Sequence, residues 1–258
     1  FHDKNMLALN TVNGVKIPQF NFKSANPEQQ MRNRFTRLGF QRIGIMTNDK
    51  AKNIADAKTL QNLWQQDTGK VAEISIYPNK RPKLRKALGE LIHETNSKER
   101  RNNIRWTVND KLEYFPRTRQ DLDAIVIIDN VQRLAVFRPQ LDFFGMNVPL
   151  YSDSQMTPKN FQKPVINKDL RDVRFLSYPA ILNPEDLTNK FEAFGWDSFL
   201  VSTHLTELQN GACLTNAKTG ILSMQDAEIK QNQIWLIFNR KGELEEATSI
   251  KPQANLQP

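Results

Sequence analysis

Residues 124–128, Ala-Ile-Val-Ile-Ile, form an unbroken apolar run rich in β-branched side chains. A strand covered on both faces reads this way, since neither face has room for a polar position. Leu134, Phe137, Leu141 and Phe144 follow at spacings of three, four and three, one face of a helix. Val148-Pro-Leu-Tyr151 then returns as a second short apolar strand. Strand, helix and strand within about 30 residues make a βαβ crossover, normally right-handed and part of a parallel sheet. Pro139 inside that helix predicts a kink or break, because it lacks an N–H and its ring crowds the preceding turn.

The alternation extends along the chain. Met6 to Leu9, Arg42 to Met46 and Val71 to Tyr77 read as strands. Asn26-Pro27-Glu28-Gln29 spells a helix start: Asn caps, Pro takes the first helical position and an acid follows at the positive end of the dipole. Asn183-Pro184-Glu185-Asp186 has the same spelling, ahead of a helix expected over Lys190 to Leu208. Helices are also predicted over Ala51 to Gln66 and Leu84 to Glu94, with residues 95–110 the least structured stretch of the interior. Val173 to Phe175, Lys218 to Leu222 and Ile234 to Phe238 complete the strands. Strands alternating with helices give the α/β class with a largely parallel sheet. The 258 residues leave room for two lobes or one large domain. The chain opens inside what reads as a strand, as a fragment of a longer protein would.

A composition of 39% hydrophobic and 25% charged residues excludes a disordered tail. No stretch approaches the roughly 18 apolar residues of a spanning helix, and Phe1-His-Asp-Lys-Asn lacks the order of a signal peptide. The net charge of +8 is concentrated in Lys80, Arg81, Lys83, Arg85 and Lys86, then Lys98, Arg100, Arg101 and Arg105. This cluster fits either a contact surface for an anionic partner or a solvated face. No stacking platform interleaves with these basic residues, which argues against nucleic acid.

Recognised catalytic motifs are missing. The sequence holds no G-x-S-x-G, no phosphate-binding glycine loop, and no second histidine to complete His93-Glu94 as a zinc motif. His2, His93 and His204 lie far apart, so neither a metal nor a cofactor is expected. Cys213 stands alone, nine residues after His204, and is expected to be a small, semi-buried packing residue. Ser152-Asp-Ser154 with Lys218-Thr-Gly220 mimics two motifs of penicillin-interacting serine enzymes, but the S-x-x-K nucleophile is absent. Asp121 and Asp123 alternate with Arg117 and Arg119. Such arginines hold the carboxylates ionised, so ion pairing at the strand entry is favoured over acid/base work. Ligands of α/β sheets bind beyond the carboxyl ends of strands. The residues there are Asn10, Thr11, Thr47, Asn48, Asp129, Asn130, Ser152 and Ser154, which either line a cleft or are ordinary loop residues.

Phe115-Pro-Arg-Thr-Arg-Gln-Asp-Leu-Asp-Ala124 resembles the R-x-D-x-D-A entry of the LppC/LpoA family. Gln132 to Phe143 resembles its Q-A-R-x-x-x-P-x-L-x-F helix, with Arg133 in place of the alanine. Pro149 to Ser154 resembles its P-V-Y-A-T-S strand, with Leu, Ser and Asp at three positions. Leu7 to Asn10, Ala193 to Asp197 and Thr219 to Leu222 resemble its L-A-L-N, A-F-G-x-D and T-G-x-L segments in the same order.

The resemblance implies a type I periplasmic-binding-protein fold of two α/β lobes. Residues 1–22 and 184–224 would be what this chain holds of an incomplete amino-terminal lobe. Residues 23–183 and 225–258 would form the carboxyl-terminal lobe. It further implies a non-enzymatic lipoprotein of the outer membrane that faces the periplasm, anchored by a lipid attached upstream. Such a protein activates a class A penicillin-binding protein and so promotes peptidoglycan synthesis, with peptidoglycan a second candidate partner. The basic surface, including Lys80, Arg81, Lys83, Arg85, Lys86, Arg100 and Arg101, is the candidate contact. Two other classes stay open: a sensor closing over an amino acid, peptide or wall fragment, and a salt-sensitive binder of anionic polymer.

Overall fold

The computed structural model describes residues 6–12, 14, 17–22, 25–108, 118–163 and 166–247. Arg117 and the tail from Pro252 to Pro258 lie outside them. Five strands form the parallel part of a seven-stranded sheet: β1 (Arg42–Asn48), β2 (Val71–Tyr77), β3 (Ala124–Ile128), β4 (Leu150–Ser152) and β5 (Arg174–Ser177). Their order is β2-β1-β3-β4-β5, so the winding reverses between β1 and β3. Residues from the far end of the chain close the other edge. Ile234–Phe238 pairs antiparallel with β5, and Leu244–Glu246 pairs with it in turn.

The apolar run of β3 is buried throughout and feeds two layers. Ile125 and Ile127 face the cluster formed with α3 (Leu84–Leu91) and α5 (Val131–Phe143). Ala124, Val126 and Ile128 face the cluster formed with α1 (Pro27–Arg37) and α2 (Ala51–Gln65). Alternation along one strand thus builds an α/β/α sandwich. The expected βαβ crossover is β3-α5-β4, with Leu134, Phe137 and Leu141 buried on the inward face. α5 runs through Pro139 without a break. Its inward residues anchor the helix on both sides of the proline, so packing overrides the lost hydrogen bond.

A second sheet has three antiparallel strands: β6 (Cys213–Leu214), β7 (Ile221–Gln225) and β8 (Glu228–Asn232). It buries Leu214, Leu222 and Ile229 against Leu200, Val201, Leu205 and Leu208 of helices α6 (Lys190–Thr203) and α7 (Leu205–Gln209). The helix expected over Lys190 to Leu208 is therefore two, separated at His204.

Several sequence expectations fail for identifiable reasons. Residues 94–108 form a helix, α4, rather than an unstructured stretch. The segment is rich in helix-forming Glu, Lys and Arg but lacks an apolar stripe, so periodicity misses it. A positive φ of 61° at His93 turns the chain between α3 and α4. Asn183-Pro184 opens a turn rather than a helix. Glu185 takes a φ of 50°, and α6 starts instead at Asn189, whose side chain accepts from the Phe191 and Glu192 N–H groups. Met6 to Leu9 forms no strand, only a bridge from Ala8 to Gln19. The strand expected from Lys218 begins at Ile221.

Candidate functional site

The sequence places its ligand-binding hopes at the carboxyl edge of the parallel sheet, above the reversal between β1 and β3. The structure brings six of the eight candidates there and turns most of them inward. Thr47, Asn48, Asp129 and Ser152 are at most 1% exposed. Ser152 Oγ donates to the Ile127 carbonyl at 2.6 Å, and Thr47 Oγ1 lies 3.3 Å from the Asn48 carbonyl. Asn53, from α2, donates its amide to the Ile128 carbonyl at 3.2 Å. Asp129 accepts from the Tyr77 hydroxyl at 2.8 Å and from the Asn130 N–H at 2.7 Å. Asn130 then caps α5 by accepting from the Arg133 N–H. Burial, together with this acidic partner, raises the Tyr77 hydroxyl well above its usual range.

Ser154 is half-buried and opens a short 3-10 turn capped by Asp153, the middle residue of Ser152-Asp-Ser154. Asp153 accepts from the Gln155 N–H and side-chain amide, both at 3.1 Å. Burial pushes its carboxyl up to about 6. Asn10 and Thr11 join none of these contacts. Both are exposed, and Thr11 Oγ1 accepts from Asn21 beside the small sheet. Most of these strand-end groups are therefore taken up by the protein's own hydrogen bonds, while the buried Asn48 Nδ2 has no hydrogen-bond partner among the described residues.

At the opposite end of the sheet, the acidic pair separates into two jobs. Asp123 accepts from the Gln41 and Arg42 N–H groups at 2.7 and 2.8 Å, and its own N–H returns to the Arg42 carbonyl. This clips β3 to the start of β1. Asp121 takes both ends of the Arg119 guanidinium, at 2.7 and 2.9 Å, and Arg42 at 3.1 Å. Those cations hold its carboxyl down at about 2. Arg119 also reaches Glu73 at 2.5 Å. The expected ion pairing at the strand entry is present for Asp121 with Arg119, whereas Asp123 is held by backbone N–H groups and Arg117 lies outside the described residues.

The serine-enzyme mimic dissolves in the same way. Lys218 pairs with Glu185 at 2.9 Å. Asp197 accepts from the Lys218 and Thr219 N–H groups at 2.7 and 2.8 Å and from the Thr219 hydroxyl. Gly220 has φ +147°, and a Cβ there would sit 2.3 Å from the Asn232 carbonyl oxygen. Cys213 is exposed on β6 rather than semi-buried, and His204 Nδ1 is engaged with the Leu200 carbonyl and the Thr203 hydroxyl. Among the described residues, no group of His, Cys, Asp and Glu could hold a metal.

The basic cluster is exposed where the edge is buried. Lys80, Arg81, Lys83, Arg85 and Lys86 all face solvent along the β2–α3 connection and the first turn of α3. Lys83, Arg85 and Lys86 line a groove of about 670 Å³ with Leu84 and Val136. Arg100, exposed, and Arg101, half-buried and paired with Asn102, lie on α4 outside that lining. The sequence showed no aromatic among these cations. The fold supplies one: the Arg85 guanidinium sits 5.2 Å from the ring centre of Phe143, which α5 leaves 72% exposed.

The model of the family described as "LppC putative lipoprotein" matches residues 5–241. The chain belongs to the LppC family. Similar proteins include "Penicillin-binding protein activator LpoA" of Photobacterium profundum, 26% identical over 92% of this chain and 42% of that protein. The protein of the same name from Vibrio cholerae is 21% identical over 83% of this chain and 38% of that protein. The chain thus spans less than half the length of these relatives. Among solved structures, the LpoA (YraM) C-domain of Haemophilus influenzae, titled a regulator of PBP1A, superposes with a TM-score of 0.59 at 15% identity. That match covers 95% of this chain and 74% of the other. A putative branched-chain amino acid ABC transporter protein of Chromobacterium violaceum gives 0.60 at 16% identity, over 90% and 73%. These likenesses establish the periplasmic-binding-protein-like α/β fold that the motifs implied. No helix among the described residues is long and apolar enough to cross a membrane.

Proposed function

We propose that this chain is a non-enzymatic regulatory domain of peptidoglycan synthesis, which binds a class A penicillin-binding protein and favours its active state. The observation that carries this reading is the family match from residue 5 to residue 241, which takes in nearly the whole described fold. The carboxyl edge supports it, since Ser152, Asp129 and Asn53 spend on the protein itself the polar groups a solute sensor would keep free, which leaves only the Asn48 amide nitrogen unpartnered among the described edge residues. Activation requires tighter binding to the active conformation than to the inactive one. Moving a synthase from 1:99 to 99:1 takes about 10⁴-fold differential affinity. In the same proposal the domain works in the periplasm, as part of a longer lipoprotein tethered to the outer membrane, and contacts the synthase through its basic surface.

The division into lobes belongs to this proposal. It sets residues 1–22 and 184–224 against 23–183 and 225–258; the pairing of β8 with β7 favours drawing the second crossing after Asn232 instead. A second reading, the solute sensor, draws on a polar groove of about 580 Å³ between α1 and the β7–β8 hairpin. Asn26, Gln29, Asn33 and Asn232 line it, a side-chain set suited to an amide or hydroxyl ligand. The two readings part in one experiment. The full-length protein is tested for capture of a purified class A penicillin-binding protein, with synthase activity measured alongside. Calorimetry with amino acids and muropeptides runs in parallel. Capture with stimulation supports the regulator; absence of capture together with a saturable small-ligand isotherm replaces it with the sensor.

A further inference from the structure

We infer that the groove between the first turn of α3 and α5 docks an acidic peptide segment of the partner protein, one carrying an apolar anchor. The inference rests on the regulator reading and narrows its contact from a broad basic surface to one groove. Charge is the first argument. Lys83, Arg85 and Lys86 crowd the start of α3, where the helix dipole is already positive. No acid stands in that first turn, and no side chain caps it. Like charges gathered at the positive end of a helix repel one another in the free protein. An approaching carboxylate relieves that repulsion, which makes the groove selective for anions. Two acids lie near and cancel little of this charge. Glu94 lines the groove but is only 5% exposed and already has a partner, and Glu90 pairs with Lys86 at 3.6 Å, so the three cations of the lining still outnumber its one acid.

The apolar component separates a peptide from an anionic polymer or a lipid surface. The groove presents more apolar than polar surface, through Leu84, Val136 and the stems of the basic residues. Val136 is 47% exposed and Phe143 72% exposed, the latter already under the Arg85 guanidinium. An exposed aromatic ring stacked by arginine beside an apolar hollow has the make-up of an interface anchor point. A chain of phosphates or sugar carboxylates offers nothing to fill that hollow. A peptide alternating Asp or Glu with Leu or Phe fills it and meets the cations together.

The test compares full-length wild type with K83E/R85E/K86E, with F143S/V136S and with R100E/R101E, each checked for an unchanged melting temperature. Affinity for the purified class A penicillin-binding protein is measured at two salt concentrations. Binding to phosphatidylglycerol vesicles and to purified peptidoglycan is measured alongside. The expected result is at least a tenfold loss of synthase affinity for the triple reversal. The apolar pair should lose about fivefold, and R100E/R101E should stay within twofold of wild type. Synthase binding that survives both groove variants overturns the groove and leaves the regulator reading standing. Loss only in the triple reversal, with equal loss on vesicles or peptidoglycan, replaces the peptide by a bare anionic surface. If the wild-type protein does not bind the synthase, the regulator reading falls and the groove falls with it.

Discussion

The carboxyl edge of the central sheet and the basic face of α3 are both polar, and they use that polarity in opposite ways. At the edge, Thr47, Asp129 and Ser152 are buried and bonded to carbonyls, a hydroxyl and N–H groups of their own chain. On the face, Lys83, Arg85 and Lys86 are exposed, and Arg85 lies over the rings of Phe143 and Phe144. Removing a buried, satisfied group leaves its partner unpaired, so the edge should matter to stability. Removing an exposed cation costs the fold little, so the face is free to serve recognition. The contrast teaches that polar residues at strand carboxyl ends can be committed to the fold's own hydrogen bonds, while exposed ones elsewhere are left for contact.

The sharpest way to break this contrast is Asp129→Ala. It strips the Tyr77 hydroxyl of its acceptor in a buried setting and should cost about 2–3 kcal/mol. At roughly 2–4 °C per kcal/mol for a chain of this size, thermal unfolding should shift by about 4–12 °C, with synthase binding unchanged in the folded population. A comparable loss of binding with no loss of stability would make the edge a recognition site after all.

Asp153→Asn tests the edge through pH. The folded carboxyl titrates near 6, above its usual value of 3.8. The proton is held more tightly in the folded state, so stability is fullest below about 3.8 and declines as pH rises through 6. The difference approaches about 3 kcal/mol at neutral pH as an upper figure. Asn, which keeps an acceptor for the Gln155 N–H, should gain on wild type between pH 4 and 7 and lose that gain below 4. Denaturant midpoints across the range check it; parallel pH curves for the two proteins would refute it.

Ser152→Ala removes one buried hydrogen bond and should cost about 1 kcal/mol in chemical denaturation. Asp121→Asn should cost under about 1 kcal/mol, since its carboxylate is half exposed. Here the sign reverses. The folded value of about 2 lies below the usual 3.8, so the stabilisation is present above 3.8 and is lost as pH falls through 2. On the face, neutralising Lys83, Arg85 and Lys86 to Ala should move stability by no more than about 0.5 kcal/mol. A large destabilisation there would show that the cations serve the fold.

Apolar runs were the most legible part of the sequence. Ile125 to Ile128 and the spacing from Leu134 to Leu141 have one physical use, burial, and both appear where expected. Polar signals were ambiguous because one residue type serves several ends. Asn26-Pro27 and Asn183-Pro184 share a spelling, but only the first opens a helix; at the second, Glu185 takes a positive φ and pairs with Lys218, a contact the local sequence does not contain. The helix α4 carries no apolar period to announce it. The basic run was visible as charge. Its aromatic complement, Phe143, comes from 58 residues beyond Arg85 and appears only once α5 is folded against α3.

The contacts of Asp197 also bear on time. Its carboxylate holds the Lys218 and Thr219 amides, which precede β7, across 21 and 22 residues of chain. Amides outside a sheet ordinarily trade their protons with water quickly. These two should trade as slowly as their neighbours within β7, because release demands that α6 leave the small sheet. In a hydrogen-exchange record, residues 218 and 219 would therefore keep the time of a whole lobe opening rather than of a loop.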